Sequence, residues 1–237
     1  GAWYNWRFKK PNETSMLYHI LGAISALLFI LTWLGLWAQI SNIYRHRKQN
    51  GSGTQSLSLN QFGSSFFAFY ANFIFGISVE PFNHYLVWTR CGALLLTLFI
   101  LWHIWQERHN KVTALTLLAA TVALVAGFAS ITFRPFPVFT QLGANGLMLV
   151  VTLILIQGTY HQWLLLYKYK QIGALSFGLF RSILVKDIST LLFGLTMPLN
   201  QAWPLLVLNG ASVIMRGAVL IQMEVIKRRN HCNVLQD

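Results

Sequence analysis

Seven stretches of mostly apolar residues follow one another along the chain, separated by short polar connections. They run near Met16–Tyr44, Leu57–Ser78, Tyr85–Trp105, Val112–Thr132, Val138–Tyr167, Ser176–Met197 and Pro204–Ile226. Each is long enough for a spanning helix, which needs about 20 mostly apolar residues. The second, with "NQFGSSFFAFYANFIFG", is polar at one end. Its aromatic and small residues suit a helix packed inside a bundle. The pattern predicts an all-α membrane protein with seven transmembrane helices.

Composition agrees. Of 237 residues, 55% are hydrophobic and 10% charged, whereas a soluble domain carries roughly a quarter charged residues. The net charge of +12 would suggest a nucleic-acid partner in a soluble chain. Here the basic residues cluster between apolar runs, as membrane topology dictates, and no nucleic-acid role is expected. The connections after spans one, three, five and seven hold ten Lys and Arg: Arg45, Arg47, Lys48, Arg108, Lys111, Lys168, Lys170, Lys227, Arg228 and Arg229. The other side holds four, Arg7, Lys9, Lys10 and Arg134. The positive-inside rule then puts the N-terminus outside and the C-terminus in the cytoplasm, in a cell membrane such as the bacterial inner membrane. Cys91 and Cys232 build neither a disulfide framework nor a metal site.

The chain repeats itself. "WAQISNIYRHRKQNGSGTQSLSLNQF" from Trp37 has a shorter counterpart in "YHQWLLLYKYKQIGALSFGLF" from Tyr160. Gln39 matches Gln162, Tyr44 matches Tyr167 and Arg45 matches Lys168. After one gap in the loop, Leu57-Ser58 matches Leu175-Ser176, Phe62 matches Phe180, Phe75-Gly76 matches Phe193-Gly194 and Gly92 matches Gly210. Spans one to three therefore recur as spans five to seven. The odd span between them gives both triplets the same orientation, a parallel repeat. The division expected is 1–105 for a tail and first three-helix bundle, 106–137 for a linker helix, and 138–237 for a second bundle and tail.

A Gln followed by a basic loop and then Leu-Ser, duplicated in this way, resembles the PQ-loop, cystinosin and SWEET superfamily. Ala38 and His161 stand where the motif has proline. The resemblance implies a 3+1+3 SWEET-like arrangement and transport by rocking of two bundles. Gln39 and Gln162 would take the gating positions, with Gly35 and Gly158 one turn earlier weakening the helices in place of proline.

An ionisable group inside a bilayer is costly and marks a pathway or a paired site. The candidates are Arg90, Arg181, Lys186, Asp187 and Arg216. Lys186 and Asp187 lie about 15 Å into span six, near mid-depth. Asp187, Thr190 and Gly194 share a helix face, with Phe69, Asn72 and Gly76 as repeat partners. A central cavity would thus receive Asn72 and Thr190. Asp187 either pairs with a cation, from Arg90 or Arg216 rather than adjacent Lys186, or binds solute or carries a proton. In span seven Asn209, Ser212 and Arg216 follow a helical stripe. Asn209 resembles the Asn that SWEET-type proteins place at the sugar site, although Cys91 stands opposite it in the repeat. Gln141, Asn145 and Thr152 either line an entry or pack helices. Trp33, Trp37, Trp88, Trp102 and Trp105 suit interfacial anchoring.

The binding set expected is thus Asn72, Arg90, Lys186, Asp187, Thr190, Asn209, Ser212 and Arg216. It suits a transporter of a small polar solute bearing a carboxylate or phosphate. An amino acid or related metabolite is favoured, with protons as the candidate coupling ion and a homo-oligomer allowed. The alternatives are a SWEET-type sugar transporter and a non-transporting peptide or cargo receptor. No nucleophile, base and orienting group occur together, so no enzyme, cofactor or metal site is expected.

Overall fold

The computed structural model describes residues 11–54, 57–134, 138–170, 172 and 175–234. Arg7, Lys9 and Lys10 of the charge tally lie outside them, as does the side chain of Gln141. The described residues form seven helices: α1 (Pro11–Asn50), α2 (Leu59–Ser78), α3 (His84–Arg108), α4 (Lys111–Ile131), α5 (Val138–Tyr169), α6 (Phe177–Gly194) and α7 (Leu199–Val234). Five of them, α1, α3, α4, α5 and α7, are long and apolar enough to cross a membrane. The other two are the helices with the polar N-terminal turns (α2) and the buried charged pair (α6).

Local chemistry sets the boundaries. Ser58 caps α2 by accepting from the Gln61 amide at 3.3 Å, and Ser176 caps α6 by accepting from the Leu179 amide at 3.2 Å. The two caps are repeat partners, so the Leu-Ser of each copy is the start signal of a helix. Asn83 and Asn110 cap α3 and α4 in the same manner. His109 ends α3 in the left-handed conformation, at φ 45°.

Helix ends differ from the apolar pattern in two places. α1 is 40 residues long, about 60 Å, and continues through Arg45, Arg47 and Lys48, so these charges sit on a helix that projects past a 30 Å apolar layer rather than in a loop. α7 begins at Leu199, not at Pro204, which lies inside it. The Pro198 carbonyl accepts from Gln201 and Ala202 and starts the helix before the proline is reached.

Within each triplet the third helix sits between the first two: α3 packs on α1 and α2, and α7 on α5 and α6. The triplets meet through α1 against α6 and α2 against α5. Six helices thus form a ring in the order α1, α3, α2, α5, α7, α6, and exchanging the two copies maps the ring onto itself. α4 lies outside it, against α2 and α3. This is the 3+1+3 parallel repeat.

Close approaches repeat as well. A Cβ on Gly35 of α1 would meet Ser182 Oγ of α6 at 2.9 Å. A Cβ on Gly158 of α5 would meet Ser64 Oγ of α2 at 2.6 Å. Glycine at these two positions lets the bundles touch backbone to backbone. One equivalence fails in packing. Trp33 lies over Gly92 and donates to the Thr89 carbonyl at 2.8 Å, while none of the described residues lies within 4 Å of a Cβ placed on Gly210. Trp33 is therefore an α1–α3 packing residue in mid-helix and not an interfacial anchor, unlike the exposed Trp37 and Trp88.

Candidate functional site

The ring encloses polar side chains while its outer faces are apolar, the inverse of a soluble bundle. On α4, Leu115, Leu118, Val122 and Val125 are all exposed, as a lipid-facing helix requires. Asn72, Arg90, Lys186, Asp187, Thr190, Asn209, Ser212 and Arg216 are all buried, none more than 4% exposed.

These side chains meet in two connected groups. Asp187 Oδ2 accepts from Ser212 Oγ at 2.5 Å, and Asp187 Oδ1 is ion-paired with Lys186 Nζ. The expectation that Asp187 would pair with Arg90 or Arg216 is thereby corrected. Neighbours on a helix do point apart at Cβ, but the four-carbon lysine chain is long enough to fold back. Burial gives its ammonium no better partner. The same ammonium lies 5.4 Å and 5.3 Å from the ring centres of Phe29 and Phe69, both of the first bundle.

Arg90 belongs to the first bundle and reaches across to the second. Its Nη2 donates to Thr190 Oγ1 at 2.9 Å, its Nη1 donates to Thr89 Oγ1 at 2.8 Å, and its guanidinium lies 4.2 Å over Phe29. Arg216 belongs to the second bundle and reaches the other way, donating from Nη2 to Ser65 Oγ at 3.2 Å. Each arginine therefore ties its bundle to a hydroxyl of the opposite one. Arg90 Nε, Arg216 Nε and Arg216 Nη1 have no partner among the described residues. Deeper along α2, Asn72 Oδ1 accepts from Asn209 Nδ2 at 3.5 Å, a second contact between the bundles. Asn72 and Thr190 thus make separate contacts, Asn72 to Asn209 and Thr190 to Arg90 and Ser25.

The polar centre is closed at both ends. Away from the basic connections, Tyr18 of α1 packs on Phe193 of α6, with Tyr85 against both. Toward the basic connections, the Gly35–Ser182 and Gly158–Ser64 approaches bring the bundles together. Gln39 and Gln162 lie one turn beyond those glycines. Among the described residues Gln39, 1% exposed, has a partner for neither amide atom, and the buried Gln162 has none for its Oε1. A buried amide left without a partner costs about 1–3 kcal/mol, so both glutamines gain from any movement that offers them one. Farther out, a cleft of about 640 Å³ opens between the first basic loop and α5, lined by Ser58, Asn60, Arg108 and His161.

Several contributors went unread in the sequence. Ser65 completes the Arg216 contact, and Gln61, Ser65 and Asn72 share one face of α2; that spacing was the available signal. Glu107 anchors the first basic loop. It accepts from Ser52 Oγ, from the amides of Gly53 and Thr54 and from Thr54 Oγ1, and pairs with Arg47 Nε at 3.3 Å. His103, 2% exposed, has no partner for either ring nitrogen among the described residues and packs edge-on against Tyr44 and Phe99. Arg181 faces outward near Glu224, at 3.7 Å, and takes no part in the centre. Thr152 bonds the Met148 carbonyl of its own helix at 2.6 Å. Among the described residues no His, Cys, Asp and Glu cluster is arranged to hold a metal ion.

The fold is shared with a solved protein. The chain superposes on the 3.7 Å structure of a eukaryotic SWEET transporter with a TM-score of 0.61, covering 90% of this chain and 99% of that one at 17% identity. The chain has the SWEET-transporter fold. No protein-family model and no curated protein matches its sequence. The likeness is thus one of fold, at low sequence identity.

Proposed function

We propose that the protein is an integral membrane transporter of a small polar solute. It would work by alternating access between the bundle of residues 1–105 and that of 138–237, with 106–137 as the linker. The observation that carries the reading is the reciprocal pair of arginine contacts across the bundle interface, Arg90 to Thr190 and Arg216 to Ser65. A neutral hydroxyl is a weak partner for a buried guanidinium, so a solute group that replaces it gains binding energy and exchanges a direct tie between the bundles for one that runs through the solute. The solute-binding set is Asn72, Arg90, Lys186, Asp187, Thr190, Asn209, Ser212 and Arg216. Gln39 and Gln162 flank the gate, where polar atoms left without a partner among the described residues lower the cost of opening.

The likeness to a SWEET transporter supports transport as the activity. The buried cations favour a solute bearing a carboxylate or phosphate, as amino acids and related acidic metabolites do, over a neutral sugar. The basic connections orient the chain with its C-terminus in the cytoplasm, in a cell membrane such as the bacterial inner membrane. Protons are the coupling ion to test first, because Asp187 is the acid at the centre. Binding without transport, as in a cargo receptor on this fold, is the second reading, favoured only by the closure at both ends. Uptake of labelled solutes into proteoliposomes, screened by thermal stabilisation of the purified protein, decides between them. Stabilisation by a solute that never enters the vesicles would refute transport.

A further inference from the structure

Lys186 and Asp187 neutralise one another, and Ser212 satisfies the remaining carboxylate oxygen. That leaves two buried guanidinium groups with no carboxylate in contact, and one carboxylate at the centre against three cations. The other described carboxylate side chains are engaged elsewhere or exposed: Glu107 with Arg47 and the first loop, Glu224 with Arg181 and Arg228, and Glu80 on the surface. Arginine holds its proton even when buried, so the two positive charges persist. Their partners are three hydroxyls and the face of Phe29, all neutral. Three guanidinium nitrogens, Arg90 Nε and Arg216 Nε and Nη1, remain unpartnered among the described residues.

An uncompensated buried charge is among the most destabilising features a fold can carry, and two of them in one enclosed centre need a counter-charge that the described side chains do not supply. We propose that the counter-charge is the solute, and that it is a small organic dianion: a short dicarboxylate held by Arg90 at one end and Arg216 at the other, or a phosphate monoester with its phosphate on one arginine and its hydroxyls toward the other. This rests on the transport reading only for its direction of movement; the binding claim stands on the charges alone. The spacing of the anchoring hydroxyls favours the dicarboxylate, which carries two separate negative groups. Thr190 matches Asn72 in the repeat, two helical turns along from Ser65, so the arginines are held at depths about 10 Å apart. Asp187 already has its charge matched by Lys186, so a solute ammonium would be a fourth cation at the centre, which places zwitterions below dianions. Because one arginine comes from each bundle, a dianion bridging them would stabilise the closed state of the ring, and its departure would release both contacts.

The test is thermal stabilisation of the purified, detergent-solubilised protein in a chloride-free buffer. The probes are succinate, glycerol phosphate, butyrate, alanine, glucose and chloride. Succinate or glycerol phosphate should stabilise at concentrations roughly 10-fold or more below butyrate and alanine, and glucose not at all. Which of the two dianions acts at the lower concentration separates dicarboxylate from phosphomonoester. Arg90→Gln and Arg216→Gln should each weaken dianion binding at least about 10-fold while leaving the ligand-free melting temperature unchanged or higher, because each removes an unpaired charge. Arg90→Lys and Arg216→Lys, which keep the charge, should retain the preference for dianions. Equal stabilisation by glucose, chloride as potent as the dianions, or no stabilisation by either dianion overturns the proposal. A melting temperature lowered by Arg→Gln but not by Arg→Lys overturns its claim that the charges are unpaired. Dianion stabilisation without proteoliposome uptake sinks transport and leaves this inference standing. Saturable glucose uptake indifferent to dianions does the reverse.

Discussion

Replacing Asp187 with asparagine keeps the side-chain shape and removes the carboxylate at the centre of the ring. The new amide would still accept from Ser212, but Lys186 would lose its ion-pair partner in a site where it is 4% exposed and already faces the charges of Arg90 and Arg216. Breaking one side of a buried pair costs about 3–5 kcal/mol, which for a chain of this size is a fall in melting temperature of roughly 10 °C. Lys186→Met should cost far less, about 1 kcal/mol, because Asp187 keeps the Ser212 hydroxyl and remains within the field of both arginines. The double variant removes both charges and should recover most of the Asp187→Asn loss, since a buried pair is close to neutral against uncharged residues of similar volume. Melting temperatures of the three variants in one detergent complete the cycle. Losses that simply add, within about 0.5 kcal/mol, would refute the pairing and hand Asp187 to another cation. If Asp187 also carries a proton, the folded double variant should take up solute with no pH dependence.

The failed symmetry at Gly92 gives a paired test. Gly92→Ala would drive a Cβ into the Trp33 ring, forcing it off its Thr89 hydrogen bond at a net cost of about 1–3 kcal/mol, whereas Gly210→Ala meets open space and should be neutral or stabilising by up to about 1 kcal/mol. Equal melting temperatures for the two would contradict the packing. Glu107→Gln should loosen the first basic loop by about 2 kcal/mol, read as lost amide hydrogen-exchange protection at Gly53 and Thr54 with the helices unaffected. For orientation, a single cysteine at the exposed Gln49 in a background lacking Cys91 and Cys232 should resist an impermeant reagent in intact cells and label after lysis. Labelling in intact cells would invert the topology.

The linear order of apolar runs, the duplicated Gln, basic loop and Leu-Ser, and the lone gap between copies were enough to read seven helices in a 3+1+3 parallel repeat. Hydrophobic length and repetition are properties of the chain itself, and a bilayer leaves helices as the only way to satisfy backbone groups within one segment. Helix ends were less legible, because caps and tertiary contacts, not hydropathy, extend α1 through its arginines and start α7 before Pro204. Burial of the eight polar candidates was legible as polar stripes on apolar helices. Their partnerships were not. Helical spacing turned Asp187 away from Lys186, yet a flexible side chain in an enclosed site folds back when no nearer counter-charge exists. Nothing in the order of residues revealed that Arg90 reaches Thr190 or that Arg216 reaches Ser65, 151 positions away. Those contacts exist because the ring places α3 against α6 only through its centre and brings α7 beside α2. Which polar groups meet in a membrane bundle is decided by how the helices are arranged around one another, and that arrangement is a property of the folded ring alone.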